Sequence, residues 1–187
     1  WTILGLAALE NYNSNLDFLN YVDSNQAINY AAPILALTAV AKNPRTFSST
    51  DYVQKLKSFA NNSQLGDLNS INDDIFGNLA LISAGEPLSD EVILNSKSFI
   101  LQNQNPDGGW GYAVKATSDT DMTAAAIVSL VATGVLGQDN KIQLALDFIK
   151  SKQNIDGGFL SNPLFGDSSN TSSTAWVVWA LTALHIN

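Results

Sequence analysis

The 187-residue sequence predicts an all-α fold built from repeated helix pairs. Two observations carry that prediction. The first is an internal echo. The stretch "NQNPDGGWGY" at 103–112 returns as "KQNIDGGFLS" at 152–161. Gln104, Asp107, Gly108, Gly109 and Trp110 thus recur 49 positions later as Gln153, Asp156, Gly157, Gly158 and Phe159. The second is that amphipathic segments alternate with segments that are apolar or small on every side. No strand-type alternation of useful length competes with the helical spacing.

Taken in order, the chain opens with "WTILGLAAL" at 1–9, which matches "WVVWALTAL" at 176–184 in its leading Trp and its closing Ala-Leu. An outer, half-exposed segment follows at 15–24. "NYAAPILALTAVAKNP" at 29–44 is apolar throughout and carries Pro33 in its first turn, where proline is tolerated. A second outer segment spans 50–61. "NDDIFGNLALISAG" at 72–85 is again of the enclosed type, and Gly85 stands one 49-residue step before Gly134. The outer segment 90–102 holds Val92, Ile93, Phe99 and Ile100, and Phe99 pairs with Phe148 at the same step. "TAAAIVSLVATG" at 123–134 is enclosed. The segment 139–152 sets Ile142, Ala145, Leu146 and Ile149 at helical spacing against Lys141, Gln143, Asp147 and Lys150. "TAWVVWALTAL" at 174–184 closes the series as a fifth enclosed helix. The expectation is about nine helices, five enclosed and four outer, separated by Gly, Pro and Asn clusters.

A helix that is apolar all round has to be covered all round. No pair buries its own apolar face, so neighbours must stack. A closed or strongly curved ring does this, with enclosed helices inside and amphipathic ones outside. One domain over 1–187 is expected, and because the chain opens at Trp1 inside an apolar pattern it reads as a fragment of a longer protein.

Composition narrows the partners. Lys plus Arg number 9 against 17 Asp plus Glu, and Arg45 is the one arginine. No basic patch is available for phosphates, which argues against nucleic acid and anionic membrane surfaces. No apolar run is long enough to span a bilayer. The absence of cysteine excludes disulfides, thiolate catalysis and thiolate-bound metal. No cofactor is expected, and the oligomeric state is left open. High Asn and Ser content suits an extracellular or cell-surface location, with the cytoplasm as the alternative.

The two turns, "QNPDGGW" and "QNIDGGF", resemble the glutamine-tryptophan repeat of squalene cyclases and protein prenyltransferase β subunits, the terpenoid-cyclase repeat superfamily. "NNSQLGDLNS" at 61–70 keeps Gln64 and Gly66 but lacks the Gly-Gly-aromatic. The resemblance implies an α/α toroid, partial or complete, whose full ring holds about six inner and six outer helices. In that family the turn is structural. Its glycines permit positive backbone angles, its aromatic packs over the reversal, and its glutamine amide satisfies backbone groups nearby.

Asp119-Thr120-Asp121-Met122-Thr123-Ala124 is similar to the Asp-x-Asp-Asp-Thr-Ala segment of squalene-hopene-type cyclases. There the middle acid protonates an alkene, which implies Asp121 as general acid with Asp119 in support. Met122 stands where the family has a third acid. The simpler reading is that Asp119 or Asp121 caps the helix beginning near Thr120, as Asn170 and Ser172 do at the parallel place. The zinc site of prenyltransferases needs Asp, Cys and His together, and His185 is the lone histidine. Asn72, Asp73 and Asp74 read as caps of their own helix rather than calcium ligands. Trp176 and Trp179 share a helix face and, with Tyr112, are either core or the aromatic wall of a pocket. Complement-like thioester domains, which need a Cys–Gln pair, and cobalamin carriers share the toroid without a matching motif here.

The intact turns without a zinc set or a full acidic triad favour a non-catalytic module that binds an apolar small molecule or another protein. Its binding surface is expected at the ring centre and at the inner-helix N-termini, near Asp73, Asp119, Asp121 and Asn170. The alternatives are a terpene-cyclase-like enzyme using Asp121 and a structural spacer of a surface protein.

Overall fold

The computed structural model describes residues 16, 19, 22, 24–61, 63–162 and 166–186. They form seven α-helices: α1 (Ile28–Ala39), α2 (Tyr52–Lys57), α3 (Ile71–Ser83), α4 (Glu91–Gln102), α5 (Thr120–Ala132), α6 (Asn140–Lys150) and α7 (Thr171–Ala183). Among the described residues there are isolated bridges but no strand, so the chain is all-α. The helix expected at 1–9 lies outside them, and the one at 15–24 almost wholly so.

The helices lie in two layers. α1, α3, α5 and α7 stand side by side in that order, while α2 packs on α1, α4 covers α3 and α5, and α6 covers α5. The layers follow from composition. In α5, Thr120 and every residue from Met122 to Leu130 are buried, because helices flank it on both sides and two more lie behind it. α6 buries only the stripe of Ile142, Ala145, Phe148 and Ile149. That is the amphipathic pattern of an outer helix.

The expectation of five fully enclosed helices needs one correction. α7 buries only Ser173, Val177 and Ala180, and Val178 and Trp179 are exposed. α5 covers it on one side, and no described helix covers the other. Composition gives α7 the capacity to be enclosed, but enclosure itself takes neighbours.

All four inner helices stop in the same way. A residue of positive φ follows each C-terminus: Ala41, Gly85, Gly134 and His185. The next N–H then reaches back to a carbonyl of the last turn: Lys42 to Leu37, Glu86 to Leu81, Val135 to Leu130 and Ile186 to Leu181. This is the left-handed stop that satisfies orphan carbonyls. His185 therefore serves as a helix end. The inner helices run parallel in register, so their N-termini gather at one edge of the fold.

Candidate functional site

The position of each inner helix is set by the turn before it. In the turn between α4 and α5, Gly108 holds φ +86°, a region that favours glycine. Asp107 Oδ1 accepts from Gly109 N at 3.0 Å and from Ser118 Oγ at 2.8 Å. Gln104 Nε2 donates to the carbonyls of Gly108 and of Lys141 in α6, at 2.7 and 2.8 Å. Trp110 is fully buried, and its Nε1 donates to Ile100 O at 2.8 Å. The turn between α6 and α7 repeats these bonds. Asp156 Oδ1 accepts from Gly158 N and Ser169 Oγ, and Gln153 Nε2 donates to Gly157 O at 3.1 Å.

The turn is then pinned to the inner helix. Trp110 N donates to Thr123 Oγ1 and Phe159 N to Thr174 Oγ1, each at 3.0 Å. The turn before α3 makes the same bond with another residue: Leu65 N donates to Asp74 Oδ1 at 2.9 Å. Asp74, Thr123 and Thr174 each sit four residues after their N-caps, Ser70, Asp119 and Asn170. So Asp74 fills the place of a threonine. It is completely buried, which pushes its carboxyl up to about 7 against the Leu65 N–H bond. Asp73 Oδ2 likewise accepts from Asp67 N at 3.0 Å, and burial raises its carboxyl too. The expectation that these two acids cap their own helix is thus corrected. Their carboxylates tie down the preceding turn.

The same register separates the two acids of α5. Asp119 is the N-cap, accepting from Met122 N at 2.8 Å. Burial, with the nearby Asp121 charge adding to it, lifts its carboxyl to about 6 against the Met122 bond. Asp121 caps nothing. It turns to the inner-helix face that Ile28, Asn72 and Trp176 also line, and its Oδ1 is buried without a hydrogen-bond partner among the described residues.

That face holds a cavity of about 310 Å³, to which all four inner helices contribute. Two layers of side chains define it. The upper layer is Ile28, Asn72 and Asp121, and one turn deeper lie Ala32, Phe76, Ala125 and Trp176. Counted from the N-caps, Asn72 and Asp121 are both second, while Phe76, Ala125 and Trp176 are all sixth. The small Ala125 on the middle helix lets the rings on either side meet. Phe76 and Trp176 stand edge to face with centroids 5.8 Å apart. Such a pairing is favoured by the ring quadrupoles. Trp179 stacks behind Trp176 at 5.1 Å.

The structure therefore gathers Asp121 and Trp176 at one cavity, with Asp119 beneath as a cap and Trp179 as backing. Tyr112 is not brought there. Its carbonyl accepts from Ile71 N at 3.2 Å, and its exposed ring lines a separate polar cleft with Asp67, Asp73 and Ser70. Sequence reasoning missed Asn72 and Phe76 as wall residues. The 49-residue step sets Asn72 on Asp121 and Phe76 on Ala125, and counting from each N-cap adds Trp176 to the second set.

No family model matches the chain. The chain is 37% identical over 64 residues to a drimenyl diphosphate synthase of Streptomyces showdoensis and 37% identical over 65 residues to one of Streptantibioticus cattleyicolor. The matches cover 34% and 35% of this chain but only 12% of each relative. The chain is thus similar, over about a third of its length, to terpenoid cyclases.

Proposed function

We propose that the inner-helix cavity binds an apolar, isoprenoid-type chain, and that this sequence is the corresponding part of a terpenoid-cyclase-like protein with an α/α-toroid ring. The observation that carries the reading is the wall itself. Aliphatic side chains of α1, the Phe76–Trp176 pair and Met122 surround a volume at the lower end of the range for ligand pockets. The partial likeness to two drimenyl diphosphate synthases supports the choice of ligand class. To test it, the purified protein is titrated with polyprenyl alcohols and hydrocarbons while its tryptophan emission is followed. Saturable quenching, lost in Trp176→Ala and Phe76→Ala, is expected. No saturation by any such chain would sink the proposal.

A binding role alone is the simpler form of this reading. Catalysis is favoured by one specific observation: Asp121 lines an apolar cavity, and its Oδ1 is buried with no hydrogen-bond partner among the described residues. In that form Asp121 transfers its proton to an alkene carbon. The carboxylate stays on α5, and the tertiary cation lies against the ring faces of Trp176 and Phe76. Asp119 supports it by holding the first turn of α5 in place. Product analysis with isoprenoid substrates decides between the two forms. Cyclised product that disappears in Asp121→Asn establishes the enzyme, and binding without product in either protein establishes the binding module.

A further inference from the structure

We propose that Asn72 and Asp121 together recognise a hydroxyl group on the bound chain, which makes the preferred ligand an isoprenoid alcohol rather than a hydrocarbon. The inference rests on the reading of the cavity as an isoprenoid site. It starts from three consecutive residues of α3 that face three ways. Asp74 is committed to Leu65 N and Asp73 to Asp67 N. Asn72 is free of both tasks and lines the cavity. It occupies the same register on α3 that Asp121 occupies on the adjacent α5, two residues after the N-cap.

The pair is chemically isolated. Every other described side chain lining the cavity is aliphatic, thioether or aromatic. Asp121 Oδ1 is buried without a partner, and the Asn72 amide makes no hydrogen bond among the described residues. Asn72 and Asp121 are both partly exposed, and a ligand that fills the cavity displaces water from the part of each that still meets solvent. A pure hydrocarbon leaves two polar groups desolvated and unpaired, which is costly. A hydroxyl satisfies both at once: its O–H donates to the Asp121 carboxylate while its oxygen accepts from Asn72 Nδ2–H. A carbonyl serves only Asn72. A diphosphate meets a carboxylate and no cation, since among the described residues no Lys, Arg or His lines the cavity. Sites built to bond a hydroxyl reject the analogue lacking it far more strongly than apolar pockets sort by size.

The experiment compares farnesol with a farnesene of the same carbon skeleton, using tryptophan quenching on the full chain. The wild type should bind the alcohol at least about tenfold more tightly. Asn72→Leu and Asp121→Leu should each bring the two affinities within about threefold, chiefly by weakening the alcohol while hydrocarbon binding persists. Asp121→Asn, which keeps the shape and one acceptor oxygen, should fall between, and unchanged thermal melts confirm that the variants fold. Equal affinity of the wild type for both ligands overturns the inference but leaves the isoprenoid cavity standing. A preference that survives both leucine substitutions also overturns it. Failure of both ligands to bind the wild type overturns the cavity reading and this inference with it.

Discussion

The joint between α4 and α5 and the joint between α6 and α7 are written with nearly the same residues, yet they sit in different surroundings. Each has its Gln–Gly bond, its Asp–Ser bridge and its aromatic N–H pinned to a threonine. In the first joint the aromatic is fully buried, and α6 presses on the turn. Gln104 reaches Lys141, and a Cβ placed on Gly108 would lie 2.4 Å from Leu144 O. In the second joint Gln153 is exposed, and a Cβ on Gly157 would meet nothing within 4 Å. The turn makes its own shape, but its energetic weight comes from the outer helix that follows.

The sharpest way to break that comparison is to remove the two aromatics. Trp110→Ala deletes a fully buried indole and its bond to Ile100 O, and about 3–5 kcal/mol of unfolding free energy should be lost. Phe159→Ala, at a joint with fewer neighbours, should lose no more than about half of that. Urea unfolding of both variants checks this. Equal losses would mean that the second joint is as tightly covered as the first.

The paired glycines refine the comparison at smaller scale. Both Gly108 and Gly157 hold φ above +80°, so an alanine at either pays for left-handed backbone, about 1 kcal/mol. Only at Gly108 does the methyl also collide with a backbone carbonyl, adding about 2 kcal/mol. Gly108→Ala should therefore lose roughly three times as much stability as Gly157→Ala. A difference below about 0.5 kcal/mol would show that α6 yields at Leu144.

The joint before α3 extends the comparison to charge. Asp74 stands where the others have threonine, and its carboxyl lies at about 7, raised from the usual carboxylate value near 3.8. The folded state therefore holds a proton that the unfolded chain has released. That stabilisation is full below the unfolded value and is lost as pH rises through about 7. Asp119, raised to about 6, acts with the same sign over a lower window. The wild type should lose about 3–4 kcal/mol between pH 5 and pH 8, the larger share from Asp74. Asp74→Thr should remove most of the slope above pH 6, while the slope due to Asp119 remains. Urea midpoints at pH 5, 6, 7 and 8 measure it, and a variant as steep as the wild type would assign the slope elsewhere.

Much of this was readable before any coordinates. The period of 49 shows from α4 to the reversal before α7 because the outer helices and their turns keep their spacing, whereas the loop from that reversal into α7 is two residues longer and sets the N-caps Asp119 and Asn170 51 apart. The Asp119 cap follows from residue type and position. The 49-residue step sets Asp74 on Thr123, but an acid and a threonine do not look alike, and unequal loops obscure the turn that each one holds. Leu65 lies nine residues before Asp74, whereas Trp110 lies 13 before Thr123 and Phe159 lies 15 before Thr174. The 49-residue step runs from Asp74 to Thr123 but stops two residues short of Thr174, which a count from the helix start recovers. The step also sets Asn72 on Asp121 and Phe76 on Ala125, and the unlike residue types again concealed the shared wall. Asp119 and Asp121 part because Asp119 is the extended N-cap just outside α5, whereas Asp121 is the second residue inside it.

The smallest effect belongs to the inner helices themselves. Val128 of α5 is buried at 4% exposure and Val178 of α7 is 55% exposed, although both lie in segments of similar apolar composition. Val→Thr keeps the shape and adds a hydroxyl. At Val128 the hydroxyl enters the core and should cost about 1–2 kcal/mol. At Val178 it meets solvent, and the change should stay within about 0.5 kcal/mol. Thermal melts of the two variants test whether exposure or composition governs. A loss at Val178 matching that at Val128 would mean that α7 is enclosed in solution by a layer the described helices do not supply. The open face of α7 would then be a joint like that between α4 and α5, completed by its next neighbour.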